Sequence, residues 1–163
     1  MNSIGWMVSV LGVGVGATLF MDAVALIKKR FFAQPSLDYR LVGRWLGHML
    51  DGQIRHPAIA AAAPTRHERL VGWLFHYLTG IVFAALLVVT VGSDWLNAPT
   101  LMPAVLTGLF SIAAPWLIMQ PAWGMGVAAS RTAKPGVARQ RSLVTHLTFG
   151  LGLYLSAWLL AVI

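Results

Sequence analysis

The sequence contains no cysteine among its 163 residues. This absence excludes disulfide bridges, thiolate-bound zinc or iron–sulfur sites and a cysteine nucleophile, and it leaves histidine and carboxylate chemistry open. Charge is also scarce, since only 10% of the residues are Asp, Glu, Lys or Arg, whereas 58% are hydrophobic and the mean hydropathy is +0.72. A chain this apolar lacks the polar residues for a solvated surface, so the sequence predicts an integral membrane protein.

Four apolar stretches are long enough to cross a bilayer, because about 30 Å of hydrocarbon requires roughly 20 helical residues. The predicted transmembrane helices cover residues 4–27, 70–92, 100–120 and 142–163. The first stretch ends at a Lys-Lys-Arg triplet and not at a small-residue cleavage site, so we interpret it as a retained helix. We therefore expect an all-α fold with a four-helix transmembrane bundle, in a single membrane domain of residues 1–163.

The twelve basic residues are confined to the two long connections between these stretches. Eight lie within 28–69 and four within 121–141. The positive-inside rule then predicts that both connections face the cytoplasm, with the N-terminus, the 93–99 turn and the C-terminus on the opposite side. Because topology accounts for the formal net charge of +7, the charge does not indicate nucleic-acid binding.

The first half of the 28–69 connection has the period of an amphipathic helix that starts at Pro35-Ser36. The apolar side consists of Leu37, Leu41, Trp45, Leu46, Met49 and Leu50. The polar side consists of Arg40, Arg44, His48 and Asp51. Such a helix is expected to lie on the cytoplasmic membrane surface, with Trp45 at headgroup depth and the basic side chains near lipid phosphates. A solvated charged face without a specific ligand is the alternative.

The second connection contains a glycine turn, Gly124-Met125-Gly126, followed by Ser130 and Arg131. The backbone N–H groups of such a turn can form a nest for an anion, so a contact of Arg131 with a headgroup or phosphate is one interpretation. A simple loop is the alternative, because the turn has no Walker lysine signature and follows no strand pattern.

Three ionisable residues occur inside the predicted transmembrane helices: Asp22, His76 and His146. Each is five to seven residues from the basic border of its helix, which places all three roughly 8–10 Å inside the cytoplasmic boundary. Each also belongs to a stripe of small residues at steps of four, and such stripes face neighbouring helices rather than lipid. We therefore predict that the three side chains meet in a polar layer, with Gln120 at its cytoplasmic mouth.

Several interpretations of this polar layer remain open. It could fix helix register by interhelical hydrogen bonding, or it could handle a small solute, an ion or a proton, because burial and mutual attraction oppose each other in such a cluster. Two histidines and one carboxylate could also bind a divalent metal. Haem between His76 and His146 is a further alternative, for which Gly80 and Gly150 would provide space.

Other functional classes have less support. An enzyme is disfavoured, because one membrane carboxylate cannot supply two-carboxylate acid–base chemistry and no G-x-S-x-G, H-E-x-x-H or P-loop motif is present. The competing class is a structural or accessory subunit without a ligand. Its partners would be the lipid bilayer and a second copy of the chain, which could dock through the small-xxx-small pattern of Gly12 and Gly16.

Five runs of the sequence resemble a bacterial membrane-protein family catalogued as domain of unknown function 2938. They are GVGVGATLFMD (12–22), SLDYRLVGRWLGHM (36–49), GWLFHYLTGIVFA (72–84), QPAWGMGVAASRTAKP (120–135) and RSLVTHLTFGLGLY (141–154). The resemblance covers nearly the whole chain and includes the polar layer together with Arg44, His48, Gln120 and Arg131. It implies a small multi-pass protein of the bacterial inner membrane, and it implies no reaction, cofactor or substrate.

Overall fold

The computed structural model describes residues 3–163, with side chains from Gly5 onward, and within these residues it contains helices and no strands. The α-helices are α1 (Ser3–Phe32), α2 (Tyr39–Leu50), α3 (Glu68–Val91), α4 (Leu101–Ser111), α5 (Gln120–Ala122) and α6 (Pro135–Val162). Short 3₁₀ turns cover Ile59–Ala61, Ser93–Leu96 and Val127–Ala129, and a π-helix covers Ala114–Met119.

Four helical segments are long and apolar enough to cross a membrane: Gly5–Phe32, Glu68–Val91, Leu101–Ala122 and Pro135–Val162. The prediction of four such helices is thereby confirmed. The first and last segments are longer than predicted at their basic ends, where α1 continues through Lys28, Lys29 and Arg30 and α6 already includes Arg139 and Arg141. Lys and Arg are good helix formers, so a helix need not end where its apolar stretch ends.

The third segment is helical but irregular around Pro115. Proline has no N–H and its ring crowds the carbonyl one turn earlier, so a regular α-helix cannot pass through it undisturbed. The helical turn is wider here than in an α-helix. Helix α4 ends at Ser111, the π-helix covers Ala114–Met119, and the N–H of Gln120 donates to the carbonyl of Pro115, five residues earlier. The irregularity of this helix therefore begins next to Pro115.

The chain divides into two compact units. Unit 1 comprises residues 3–36, 77–111 and 144–163. Its core is apolar, and its buried members include Val13, Leu87 and Leu153. Backbones approach closely at two glycine contacts, where Gly14 lies against Ile81 and Gly108 lies against Gly150. Small residues therefore pack unit 1, as the stripes in the sequence indicate.

Unit 2 comprises residues 37–76 and 112–143. Its apolar cluster contains Val42, Trp45, Ile59, Ala122 and Trp123. Trp45 is only 6% exposed, and its indole N–H donates to the carbonyl of Ile54 at 2.8 Å. The apolar side of α2 therefore packs against protein at Trp45, and the depth of this residue relative to the membrane stays a prediction.

Helix α2 begins later than predicted, at Tyr39 rather than at Pro35-Ser36. The reason is the side chain of Asp38, which accepts a hydrogen bond from the N–H of Arg40 and so caps the helix. Past its end, residues 54–65 are irregular apart from the 3₁₀ turn Ile59–Ala61. Leu50, in contrast to Trp45, remains 90% exposed.

The small-xxx-small pattern of α1 is used inside unit 1. A Cβ atom on Gly12 would lie 3.0 Å from Leu160 Cδ1, and one on Gly16 would lie 2.6 Å from Ser156 Oγ. The face expected to receive a second copy of the chain therefore packs against α6 of the same chain. A homodimer would need a different surface.

The glycine contacts of unit 1 yield a stability prediction. A Cβ atom on Gly14 would lie 2.5 Å from Ile81 Cα, which is backbone and cannot rotate away. We expect Gly14→Ala to lower the free energy of unfolding by about 1–3 kcal/mol, measured by thermal unfolding in detergent. The matched control is Gly136→Ala in α6, where no described heavy atom lies within 4 Å of the added Cβ. It should be neutral or slightly stabilising, and equal losses in both variants would contradict close packing at Gly14.

Candidate functional site

The strongest polar contact in unit 2 joins α2 to the start of α3. Arg44 Nε donates to Glu68 Oε2 at 2.8 Å, and Arg44 Nη2 donates to Glu68 Oε1 at 3.1 Å. The two side chains are only 11% and 14% exposed. Backbones approach closely beside this pair, where Gly43 lies against the carbonyl of Glu68. This two-pronged geometry suits the planar guanidinium and fixes both partners.

The remaining donor atom of Arg44 binds the irregular segment after α2. Its Nη1 donates to the carbonyl of Ala60 at 3.1 Å and to that of Ala62 at 3.0 Å. The Glu68 carboxylate, as hydrogen-bond acceptor, raises the pKa of Arg44 above its usual range, which favours the charged guanidinium of the pair. The predicted contact of Arg44 with lipid phosphate is thus corrected, because its donors are committed within the protein.

Arg40 and His48, two other predicted lipid contacts, also have partners in unit 2. Exposed Arg40 binds both carboxylate oxygens of Asp38, and this hydrogen bonding lowers the pKa of Asp38 below its usual 3.8. His48 Nε2 lies 2.9 Å from the carbonyl oxygen of Ala63. A carbonyl only accepts, so Nε2 of His48 carries a hydrogen in this contact. The predicted role of these residues in lipid binding remains a prediction for exposed Arg40 and is weakened for His48.

Several backbone N–H groups of the predicted anion nest at residues 124–131 already donate hydrogen bonds within the protein. Gly124 and Gly126 have the positive φ angles of +85° and +74° that suit glycine. However, the N–H of Met125 donates to the carbonyl of Gln120, and the N–H of Arg131 donates to the carbonyl of Met125. These N–H groups are therefore unavailable to an anion, although the side chain of Arg131 is exposed.

Asp22 has a partner that the sequence pattern did not identify. Within unit 1, the hydroxyl of Tyr77 donates to Asp22 Oδ2 at 3.2 Å. This contact joins α1 to α3 and gives the membrane carboxylate a neutral hydrogen-bond donor. Tyr77 directly follows His76, which the sequence places at the same depth in the membrane as Asp22. This shared depth could have identified Tyr77 as a neighbour of Asp22.

His146 also has a hydroxyl partner within unit 1. Ser111 Oγ lies 2.6 Å from His146 Nδ1 and 2.6 Å from the carbonyl oxygen of Gly108. A hydroxyl has one hydrogen, so it can donate to only one of these two acceptors in full strength. The glycine contact between Gly108 and Gly150 brings α4 and α6 close enough for this arrangement.

His76 belongs to unit 2 and has an aromatic environment. Its ring stacks on Tyr39, with ring centroids 4.0 Å apart and planes inclined by 27°. The edge of Trp73 approaches the same ring at a centroid distance of 5.7 Å. Asp22 and His146 belong to unit 1, and the convergence of all three side chains in a polar layer stays a prediction. The same applies to Gln120 at its mouth; its side chain is buried in unit 2.

Among the described residues, no group of three or more His, Asp or Glu side chains that could hold a metal ion is found. Metal binding by Asp22, His76 and His146 therefore stays a prediction without structural support. The space expected for haem is also filled. Gly80 packs against Thr18 Oγ1, and a Cβ atom on Gly150 would lie 2.9 Å from the carbonyl oxygen of Ala104.

The comparison with known proteins identifies the family. The family model described as "Protein of unknown function (DUF2938)" matches residues 11–160. The chain belongs to this family. No curated protein and no solved structure matches the chain, so the family assignment stands without a named activity.

Three partners in this DUF2938 protein escaped the sequence pattern: Tyr77, Ser111 and Glu68. Tyr77 and Ser111 carry neutral hydroxyls, whereas the predicted polar layer consists of Asp and His side chains. Ser111 does follow Gly108 by three residues, which is a helical spacing that could have placed it on the packed face. Glu68 is one of only five acidic residues in a chain with twelve basic ones. This scarcity could have indicated that Glu68 pairs with a basic side chain.

The two ion pairs of unit 2 provide a matched stability test. Removing one partner of a buried pair leaves the other charge uncompensated, so Arg44→Gln should lower the free energy of unfolding by about 3 kcal/mol. The control is Arg40→Gln, which breaks the pair whose side chains are 57% and 43% exposed and should change stability little. Both are measured by thermal unfolding in detergent. If the two variants lose the same stability, the Arg44–Glu68 pair has no special structural role.

Proposed function

We propose that this protein is a multi-pass protein of the bacterial inner membrane that transfers protons through polar pairs inside its transmembrane helices. The observation that carries the proposal is the Ser111 hydroxyl, which lies 2.6 Å from both His146 Nδ1 and the carbonyl oxygen of Gly108. Ionisable groups inside membrane helices are costly and for that reason mostly functional. The four apolar helices support the membrane location.

The proposed topology rests on the distribution of charge. All basic residues lie in or beside the two long connections, at the ends of α1, α3 and α6 and within α2. The positive-inside rule therefore favours a cytoplasmic location for both connections and places the 93–99 turn outside. In this proposal the four apolar helices form one bundle in the bilayer, with both chain ends on the outer side.

The chemistry follows from the single hydrogen of Ser111. When His146 is neutral and lacks a proton on Nδ1, the hydroxyl can donate to that nitrogen. When Nδ1 gains a proton, the ring becomes the donor, and the hydroxyl hydrogen turns to the carbonyl of Gly108. Protonation of His146 is thus coupled to a rotation of the hydroxyl, and this two-state arrangement is suited to passing a proton.

A second pair in unit 1 has the complementary chemistry. Asp22 is a proton acceptor and the hydroxyl of Tyr77 donates to it at 3.2 Å. The described hydrogen-bond partner of the His146 ring is the neutral hydroxyl of Ser111. A group held by a neutral hydroxyl changes its protonation state more readily than one locked in an ion pair, since no counter-charge opposes the change. Arg44 and Glu68 in unit 2 are the contrasting case.

A structural accessory subunit is the second candidate, and the close glycine contacts favour it. A Cβ atom on Gly108 would lie 2.5 Å from the carbonyl oxygen of His146. The polar pair therefore sits at one of the closest helix contacts of unit 1, where a hydrogen bond also serves as interhelical glue. In this alternative, loss of the pair changes stability and leaves proton movement unaffected.

The absence of cysteine makes the topology directly testable. Single cysteines at exposed positions Gln53, Asn97 and Ala133 would be labelled with a membrane-impermeant maleimide on spheroplasts. We expect Asn97→Cys to react, and we expect Gln53→Cys and Ala133→Cys to react only after permeabilisation, which controls for reactivity. Labelling of Ala133→Cys on sealed spheroplasts would overturn the proposed orientation.

The proton-transfer proposal is tested with purified protein in liposomes that contain a pH-sensitive dye. Under an imposed potassium diffusion potential, the wild-type protein should acidify or alkalinise the lumen faster than protein-free liposomes. We expect His146→Gln and Asp22→Asn to reduce this rate by roughly tenfold or more, because general acid–base groups contribute at least this much to proton transfer.

The matched control for these variants is Thr148→Val. Thr148 lies on the same helix as His146, is partly exposed, and its hydroxyl donates to the carbonyl of Val144 within its own helix. Its removal should leave the proton flux unchanged. Wild-type flux equal to that of empty liposomes, or equal flux in wild type and His146→Gln accompanied by a lower melting temperature of the variant, would reject proton transfer and support the accessory role.

A further inference from the structure

Unpaired polar atoms are concentrated in unit 2. Within the described residues, five buried side-chain atoms have no hydrogen-bond partner: His56 Nε2, Thr65 Oγ1, Trp116 Nε1, Gln120 Oε1 and Trp123 Nε1. The side chains of His56, Gln120 and Trp123 are the most enclosed, with exposures of 4%, 6% and 4%. Buried polar groups in native proteins nearly always have partners, so this concentration requires a physical explanation.

These three enclosed residues lie on two segments that are held side by side. The N–H of His56 donates to the carbonyl of Ala122 at 2.7 Å, and the N–H of Ile59 donates to that of Trp123 at 3.4 Å. Gly124, in its left-handed conformation, lies against the carbonyl of Pro57. We call this junction of residues 54–59 and 119–125 the seam. Its backbone groups satisfy one another, whereas its polar side chains do not.

The neighbouring histidine does not supply the missing partner. The rings of His48 and His56 meet edge to face, with centroids 4.9 Å apart. His48 Nε2 is engaged by the carbonyl of Ala63, and His56 Nε2 remains without a partner. The junction therefore encloses an imidazole nitrogen whose hydrogen-bonding capacity is not used by the described residues.

The unpaired atoms define the chemistry of that molecule. An indole N–H only donates, so the molecule must accept from Trp123. The oxygen of Gln120 only accepts, so the molecule must also donate. A metal ion cannot accept a hydrogen bond, and burying a net charge among enclosed side chains is costly. An uncharged group that donates and accepts, such as a hydroxyl, an amide or water, therefore fits best.

We propose that the seam is a binding site for a small uncharged molecule that both donates and accepts hydrogen bonds, held by His56, Gln120 and Trp123. Trp116 Nε1, on the π-helix that precedes Gln120, is a further donor. Such wide helical turns are frequent at functional sites. The site is independent of the proton-transfer proposal, because the residues that hold the molecule are all in unit 2 and the proposed proton pairs are in unit 1.

The seven tryptophans provide a direct test with an internal control. Trp45 belongs to the same apolar cluster as Trp123, but its indole N–H already donates to the carbonyl of Ile54. The full-length protein, labelled with ¹⁵N at the indole nitrogens, is studied in nanodiscs, with signals assigned by single Trp→Phe variants. We expect Trp123 Nε1–H to show cross-relaxation with a long-lived bound water, and we expect Trp45 Nε1–H to show none.

Addition of acetamide distinguishes water from a solute. If the site takes a solute, acetamide shifts the Trp123 signal saturably and removes its contact with water; if the site is a water site, the water contact persists at all acetamide concentrations. Either result supports the seam as a binding site. Absence of both a water contact and a saturable shift at Trp123 would overturn the proposal.

A substitution tests whether Gln120 takes part. Gln120→Met keeps a similar volume and removes the acceptor oxygen, so the residence of the water or the affinity for acetamide should fall by roughly tenfold, as for the loss of one hydrogen bond. The Trp45 signal should not move, which confirms that unit 2 remains folded. If the Trp123 signal responds to water and acetamide as in wild type, Gln120 is not part of the site and the proposed hydrogen-bonding set is wrong.

Discussion

The constraint that organises this protein is that a polar group surrounded by apolar side chains must find a partner or remain at high cost. Few acidic side chains are present to pair with enclosed basic groups, since the chain has five acidic and twelve basic residues. One of the five, Glu68, is used for the enclosed Arg44. Unit 2 is therefore organised around one ion pair that also gathers the carbonyls of the segment after α2.

Unit 1 meets the same constraint with neutral hydroxyls. The hydroxyl of Tyr77 donates to Asp22, and the hydroxyl of Ser111 lies within hydrogen-bond distance of His146 Nδ1. The short side chain of Ser111 can reach His146 only if α4 and α6 are close, and the contact of Gly108 with Gly150 provides that closeness. Helix packing and polar pairing are thus coupled between α4 and α6, because the glycines that permit the close approach also bring Ser111 within hydrogen-bond distance of His146.

The sequence was sufficient for the helices and insufficient for their partners. The length of an apolar stretch is a local property, so all four long helices were predicted. Their basic ends were missed because α1 and α6 continue through Lys and Arg residues beyond the apolar stretch. The start of α2 depended on one cap, Asp38. Arg44 and Glu68 are 24 positions apart, and no periodic pattern connects them. The polar side of α2 indicated solvent or lipid for Arg44, but a second segment covers that side and makes it an interior position.

The difference between the two units bears on where function resides. In unit 1 each membrane ionisable group has a partner, and the degree of freedom that remains is the position of a hydrogen, as at Ser111. In unit 2 the ion pair removes that freedom, and what remains is a set of enclosed donors and acceptors around His56, Gln120 and Trp123 that do not satisfy one another. Proton movement therefore suits the first unit and recognition of an uncharged molecule suits the second.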